Sequence, residues 1–139
     1  MAISAPVLMA SLCGARAGDI AVSDAWIRAL PRAVPSGGYF TLHNGGTTTL
    51  TLTGAQSPAC GMLMLHKSES HGGMGSMQSV AAVEVPAGGT LKFAPGGYHL
   101  MCMEAKAAIA PGNHVPVTLL FQGGGHVTAQ FAVRNASGK

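Results

Sequence analysis

Apolar and polar residues alternate with a period of two along this chain from end to end, and glycine- or proline-bearing breaks interrupt the alternation about every ten residues. Thr49, Thr51 and Thr53 alternate with Leu50 and Leu52, and Val127, Ala129, Phe131 and Val133 alternate with His126, Thr128, Gln130 and Arg134. The breaks fall at Pro35-Ser36-Gly37-Gly38, Asn44-Gly45-Gly46, Pro86-Ala87-Gly88-Gly89, Pro95-Gly96-Gly97, Pro111-Gly112-Asn113 and Gly123-Gly124-Gly125. A side-chain period of two belongs to a strand with one face buried, so the spacing predicts strands over 20–28, 37–43, 48–55, 61–67, 77–85, 89–93, 98–104, 115–121 and 126–134. Seven to nine short strands of this kind pack as an all-β antiparallel sandwich or Greek-key barrel. The one stretch with helical character, Ala105–Ala110, is stopped by Pro111 after a single turn.

Composition agrees. Charged residues make up only 9% of the 139 and hydrophobic residues 47%, with 20 glycines and 8 prolines, which disfavours a helical bundle. Residues 2–13 are almost wholly apolar, and Ala15-Arg16-Ala17 offers a small-x-small cleavage pattern. Residues 1–17 therefore read as an export leader, truncated at its basic end, and 18–139 as one domain. The apolar run is too short to span a bilayer, so no stable membrane insertion is expected. The net charge of +3 comes from scattered basic residues with no stripe and no interleaved aromatics, which gives nucleic-acid binding no support. Without the leader two cysteines remain. Cys102 alternates away from His99 and Met101 and reads as a small buried hydrophobe, with a disulfide to Cys60 as the lesser reading.

The eight methionines are the anomaly, and six of them share two short stretches with three histidines. In 61–66 the pleat puts Met62, Met64 and His66 on one face and Leu63 and Leu65 on the other. In 98–103 it puts His99, Met101 and Met103 together, opposite Leu100 and Cys102. Between the two stretches, Ser70–Met77 reads as a glycine-rich loop able to carry Met77 over a site built on two strands. Thioether sulfur is a soft donor that favours Cu(I), and imidazole accepts several transition metals. Thioethers also have no proton to lose and form no disulfide, so such a set survives in an oxidising compartment. With no open position beside a general base, the arrangement predicts a carrier, not an enzyme.

Ten residues separate His66 from Met77, twenty-one separate Met77 from His99, and Met101 follows after one more. This spacing resembles that of the periplasmic copper chaperones called PCu(A)C. Asp24-Ala25-Trp26-Ile27-Arg28, Gly38–Asn44, Pro95–Met101 and Val115–Phe121 add to the resemblance, which covers 18–134. It implies a cupredoxin-like, immunoglobulin-like Greek-key β-sandwich holding one Cu(I) through His66, Met77, His99 and Met101. It further implies a bacterial periplasmic protein that hands copper to cytochrome c oxidase assembly at the CuA centre, directly or through Sco-type proteins; the chain itself is expected to be a monomer. The chain departs from the family at Lys67, where an acidic residue is usual, at Met74, displaced by one, and in lacking a Met/His-rich tail.

Other readings compete. An electron-transfer cupredoxin needs a cysteine thiolate beside two histidines, a dismutase needs a bridged two-metal cluster that five carboxylates hardly supply, and a metal-free interaction module needs only the sandwich. Met64, Met74 and Met103 read as an apolar rim and His71 as a solvated loop residue, with a second weak copper site at His71 and Met74 as the lesser alternative. His43, His114 and His126 read as turn or strand-edge residues. Trp26 reads either as a core anchor or as a shield beside the site.

Overall fold

The computed structural model describes residues 19–31, 34–71 and 74–139, with backbone alone over 69–71 and 74–76. The leader expected over 1–17 and the glycines Gly72 and Gly73 lie outside the described residues. Ten strands form in order: β1 (Ile20–Arg28), β2 (Ser36–Asn44), β3 (Leu50–Gln56), β4 (Cys60–His71), β5 (Met74–Ser79), β6 (Val83–Val85), β7 (Thr90–Phe93), β8 (Tyr98–Ala105), β9 (His114–Phe121) and β10 (His126–Arg134). They join into one sheet in the order β5-β4-β8-β2-β1-β10-β9-β3-β6, with β7 on the far half of β2. The sheet curls until β3 packs against β4, which makes a sandwich with a single core. Every pairing is antiparallel but one, since β1 and β10 run parallel at Trp26–Ala132.

Alternation places the core as the sequence predicts. Phe40 and Leu42 on β2, Leu100 on β8, Val117 and Leu119 on β9 and Phe131 on β10 are almost or wholly shut off from water. Phe40 sits between Phe93 and Phe131, with ring centroids 4.5 and 5.9 Å away. Three expectations change. The strand expected over 77–85 is two strands, because the chain leaves the β4 ladder after Ser79 and rejoins at β3 from Val83. The expected loop over 70–77 is a β-hairpin, in which β4 extends to His71 and pairs with β5 throughout. Ala105 ends β8, and residues 106–110 form a turn and a bend with no helix.

The cysteine reading is also corrected. Cys60 and Cys102 form a disulfide, with Cα atoms 5.5 Å apart. A regular pleat would set them on opposite faces three rungs apart. The ladder breaks next to them, however, where Glu104 takes a left-handed φ of 54° and folds over Gly61, and this brings Cys60 beneath Cys102. A Cβ at residue 61 would lie 2.9 Å from that of Glu104, so the approach requires glycine there.

One buried polar side chain ties the turns at the far end of β2. Asn44 donates from Nδ2 to the carbonyls of Thr48 at 2.8 Å, Val85 at 3.0 Å and Pro86 at 3.2 Å, and its Oδ1 accepts from Gly46 N–H at 3.0 Å. Its burial is thus fully compensated. Neighbouring His43 stands on the strand, exposed, with its ring 3.1 Å from the Thr90 hydroxyl. His114 and His126 open β9 and β10 and are exposed, as read.

Candidate metal centre

The β4–β8 ladder sets three cross-strand pairs on one face: Met62 with Met103, Met64 with Met101, and His66 with His99. Directly opposed Cβ atoms in such a ladder lie about 5 Å apart. On the other face the same strands present Leu63, Leu65, Leu100 and Cys102 to the core. Across the next rung β5 puts Met77 opposite Ser68, on the same face as His66. Met77, Ser68, His99 and Met101 line one cleft of about 290 Å³, together with Arg28, Tyr39 and the Pro95-Gly96 turn.

His66 and His99 meet edge to face, with ring centroids 5.7 Å apart. The turn before β8 orients His99. Gly96 takes a φ of 89°, which glycine alone adopts freely, and the carbonyl of Gly97 then accepts from both Ser68 N–H at 3.0 Å and His99 Nδ1–H at 3.2 Å. A proton on Nδ1 leaves the Nε2 lone pair free, and that nitrogen is buried with no hydrogen-bond partner among the described residues. Both ring nitrogens of His66 are likewise buried and unpartnered. Burial, and then the neighbouring His99, hold the His66 pKa below the ordinary 6.5, so at neutral pH its ring is uncharged. An unmet buried polar group costs about 1–3 kcal/mol, so the single acceptor lone pair that each neutral ring carries favours a partner that takes it.

The donor set fits a soft metal ion. Among the described residues no three of His, Cys, Asp and Glu converge, so an ion held by the two imidazoles would complete its coordination with the neighbouring thioethers. Met101 is 8% exposed and His99 4%, whereas Met77 is 60% exposed and stands at the cleft mouth. All four residues read from the sequence therefore share a face. Met64 and Met103 share it too, and the side chains of His71 and Met74 lie outside the described residues.

The comparisons with known proteins follow this geometry. Residues 20–133 match the family described as "Putative lipoprotein LpqE-like". A relative from Leifsonia xyli subsp. xyli, "Putative lipoprotein Lxx21020", is 34% identical over 90% of this chain and 75% of its own length. The chain belongs to the LpqE-like family. Among solved structures, the copper-bound PCuAC domain of PmoF2 superposes with a TM-score of 0.70 at 22% identity, over 89% of this chain and 99% of that one. This gives the LpqE-like chain the cupredoxin-like sandwich of PCuAC domains, the fold that the sequence resemblance implies. DR1885 from Deinococcus radiodurans is 30% identical in its apo form, with a TM-score of 0.64 over 93% of this chain and 87% of that one. Its Cu(I) form is 31% identical, with a TM-score of 0.63 over 79% and 74%.

Some of the LpqE-like chain's cleft residues escape a search for donors. Asp24, at a φ of 52°, inserts a bulge between Ser23 and Trp26. Before it Ile20 and Val22 face the core; after it Ile27 does, and Trp26 and Arg28 turn to the cleft side. The Arg28 guanidinium lies over the rings of Trp26 at 5.3 Å and Tyr39 at 5.7 Å, and Arg134 covers Trp26 at 4.9 Å. Trp26 thus props the cleft wall and is no core anchor. Tyr39 reaches that wall because Gly37, paired with Met101, leaves room for its ring. The signal available in the sequence is the pair Gly37-Gly38 before Tyr39, which reads first as a turn.

Proposed function

We propose that this protein is an exported, cell-envelope copper carrier that holds one Cu(I) through His66, Met77, His99 and Met101. The observation that carries the reading is the pair of facing imidazoles whose buried lone pairs have no partner, set beside thioethers. Neutral donors leave a bound Cu(I) with a single positive charge, which a half-open cleft tolerates. The copper held by DR1885 and by the PmoF2 domain supports the choice of metal, and the lipoprotein character of the family supports export to a periplasm or its equivalent. Release to an acceptor needs an accessible ligand, and the exposed Met77 on an edge hairpin serves that role. The acceptor we assign is a protein of cytochrome c oxidase assembly, the CuA subunit or a Sco-type protein.

An electron-transfer role is disfavoured, because Cys102 is tied up in the disulfide and offers no thiolate. The test is an anaerobic Cu(I) titration of the full chain against a chromophoric chelator, beside the double variant Met77→Leu and Met101→Leu. One tight equivalent in the native chain, lost in the variant, is expected. Equal binding by both would remove the thioethers from the site. Transfer is checked by mixing two equivalents of the loaded chain with an apo CuA domain, removing one electron per centre with added ferricyanide, and following the purple absorbance of the resulting mixed-valence pair.

A further inference from the structure

We propose that Met62, Met64 and Met103 form a second thioether site for a soft monovalent cation, on the solvent side of the histidine pair. Every position of the β4–β8 ladder from 62 to 66 and from 99 to 103 on the cleft face is Met or His, while the core face of the same strands carries Leu63, Leu65 and Leu100. Where these strands need only apolar bulk they use leucine. An apolar rim does not call for sulfur, and least of all at Met62, which is 56% exposed.

The geometry suits a three-sulfur site. Met62 and Met103 are directly opposed, and Met64 is the next residue on the Met62 face, diagonal to Met103 at about 7–8 Å between backbones. Three rotatable bonds in each side chain let the sulfurs close on one ion without moving the strands. Uncharged thioethers select Cu(I) or Ag(I) over the harder divalent ions. Exposure falls along the face from Met62 through half-buried Met103 and Met64 to buried Met101 and His99. An ion taken up at the open end therefore has a continuous line of soft donors to the imidazoles. It moves by ligand exchange, with no change of oxidation state and no proton released. The role as an entry rests on the copper-carrier reading; the existence of the site does not.

The probe is Ag(I), titrated into full chain labelled at the methionine methyl carbons and carrying His66→Phe and His99→Phe. The Met62, Met64 and Met103 methyl resonances should shift together and saturate, and adding Met62→Leu and Met103→Leu should abolish the effect. Methyl resonances that stay fixed in excess Ag(I) overturn the proposal. If the phenylalanine variant loses its methyl dispersion and so is unfolded, the native chain decides. A second, weaker Ag(I) equivalent absent from Met62→Leu/Met103→Leu upholds the site, and unchanged stoichiometry overturns it. If the native chain shows no tight equivalent at the histidines while these three methyls move, the carrier reading fails and the second site stands.

Discussion

His66 and His99 face each other across β4 and β8, yet the protein fixes the proton of only one of them. Gly97 holds His99 by its Nδ1–H, while neither ring nitrogen of His66 has a hydrogen-bond partner among the described residues. The pKa of His66 is lowered by burial and secondarily by His99. A base whose folded pKa lies below its unfolded value of 6.5 leaves stability untouched above that pH, and stability is lost as the pH falls through the folded value. Proton competition for a metal at this nitrogen is postponed to the same acid range. The His66 ring-proton NMR titration of the apo chain should therefore show a midpoint under 6.5, and His99→Phe should raise it without reaching 6.5, since burial remains. A midpoint at or above 6.5 would contradict this account.

The Cys60–Cys102 bond closes a loop across the two donor strands, with a sequence separation of 42. Restricting the unfolded chain over a loop of that size stabilises the fold by roughly 2–4 kcal/mol. Cys60→Ser/Cys102→Ser should lower the urea midpoint and raise the m-value, because the freed unfolded chain exposes more surface. Identical midpoints for variant and native chain would mean that the bond restrains nothing.

Gly37→Ala should damage the cleft wall. The added Cβ would sit 2.5 Å from the Tyr39 hydroxyl oxygen and 3.0 Å from its ring carbon. Displacing a buried ring by overpacking costs about 1–3 kcal/mol. A lower thermal midpoint is expected, with substantial recovery in the double variant Gly37→Ala/Tyr39→Leu, because the two positions share one volume. Strict additivity would show that Tyr39 is not what the methyl group meets.

Much of this architecture is legible in the sequence because strand period and turn residues act locally. The bounds of β1 coincide with the expectation, and parity alone puts His66 with Met62 and Met64, and His99 with Met101 and Met103, on one face of each strand; the register that opposes the two histidines does not follow from it. What escaped depends on partners. Ser70 to Met77 reads as a loop because its glycines and serines carry no strand propensity, and pairing with the neighbouring strand overrides that. The disulfide stands as the lesser reading because alternation shows only that Cys102 faces the core, and nothing local tells that the left-handed Glu104 brings Cys60 beneath it. Arg28 and Trp26 were matched to a family pattern but not to a place, since the bulge at Asp24 decides which way they point. The four candidate donors share a face, and their use as copper ligands awaits the titration.

The alternation of β4 and β8 ties two properties to a single count of residues. Deleting one residue between Met62 and His66 would leave the two on opposite faces, so that either the sulfur or the imidazole turns into the core and a leucine beside it turns to water. Substitutions can tune the donors and the core separately, position by position. Changes of length cannot, because one missing residue exchanges the two faces for all of the strand on one side of it. A change of length keeps both faces intact only where it falls in a turn, and within the two donor strands only replacement does so.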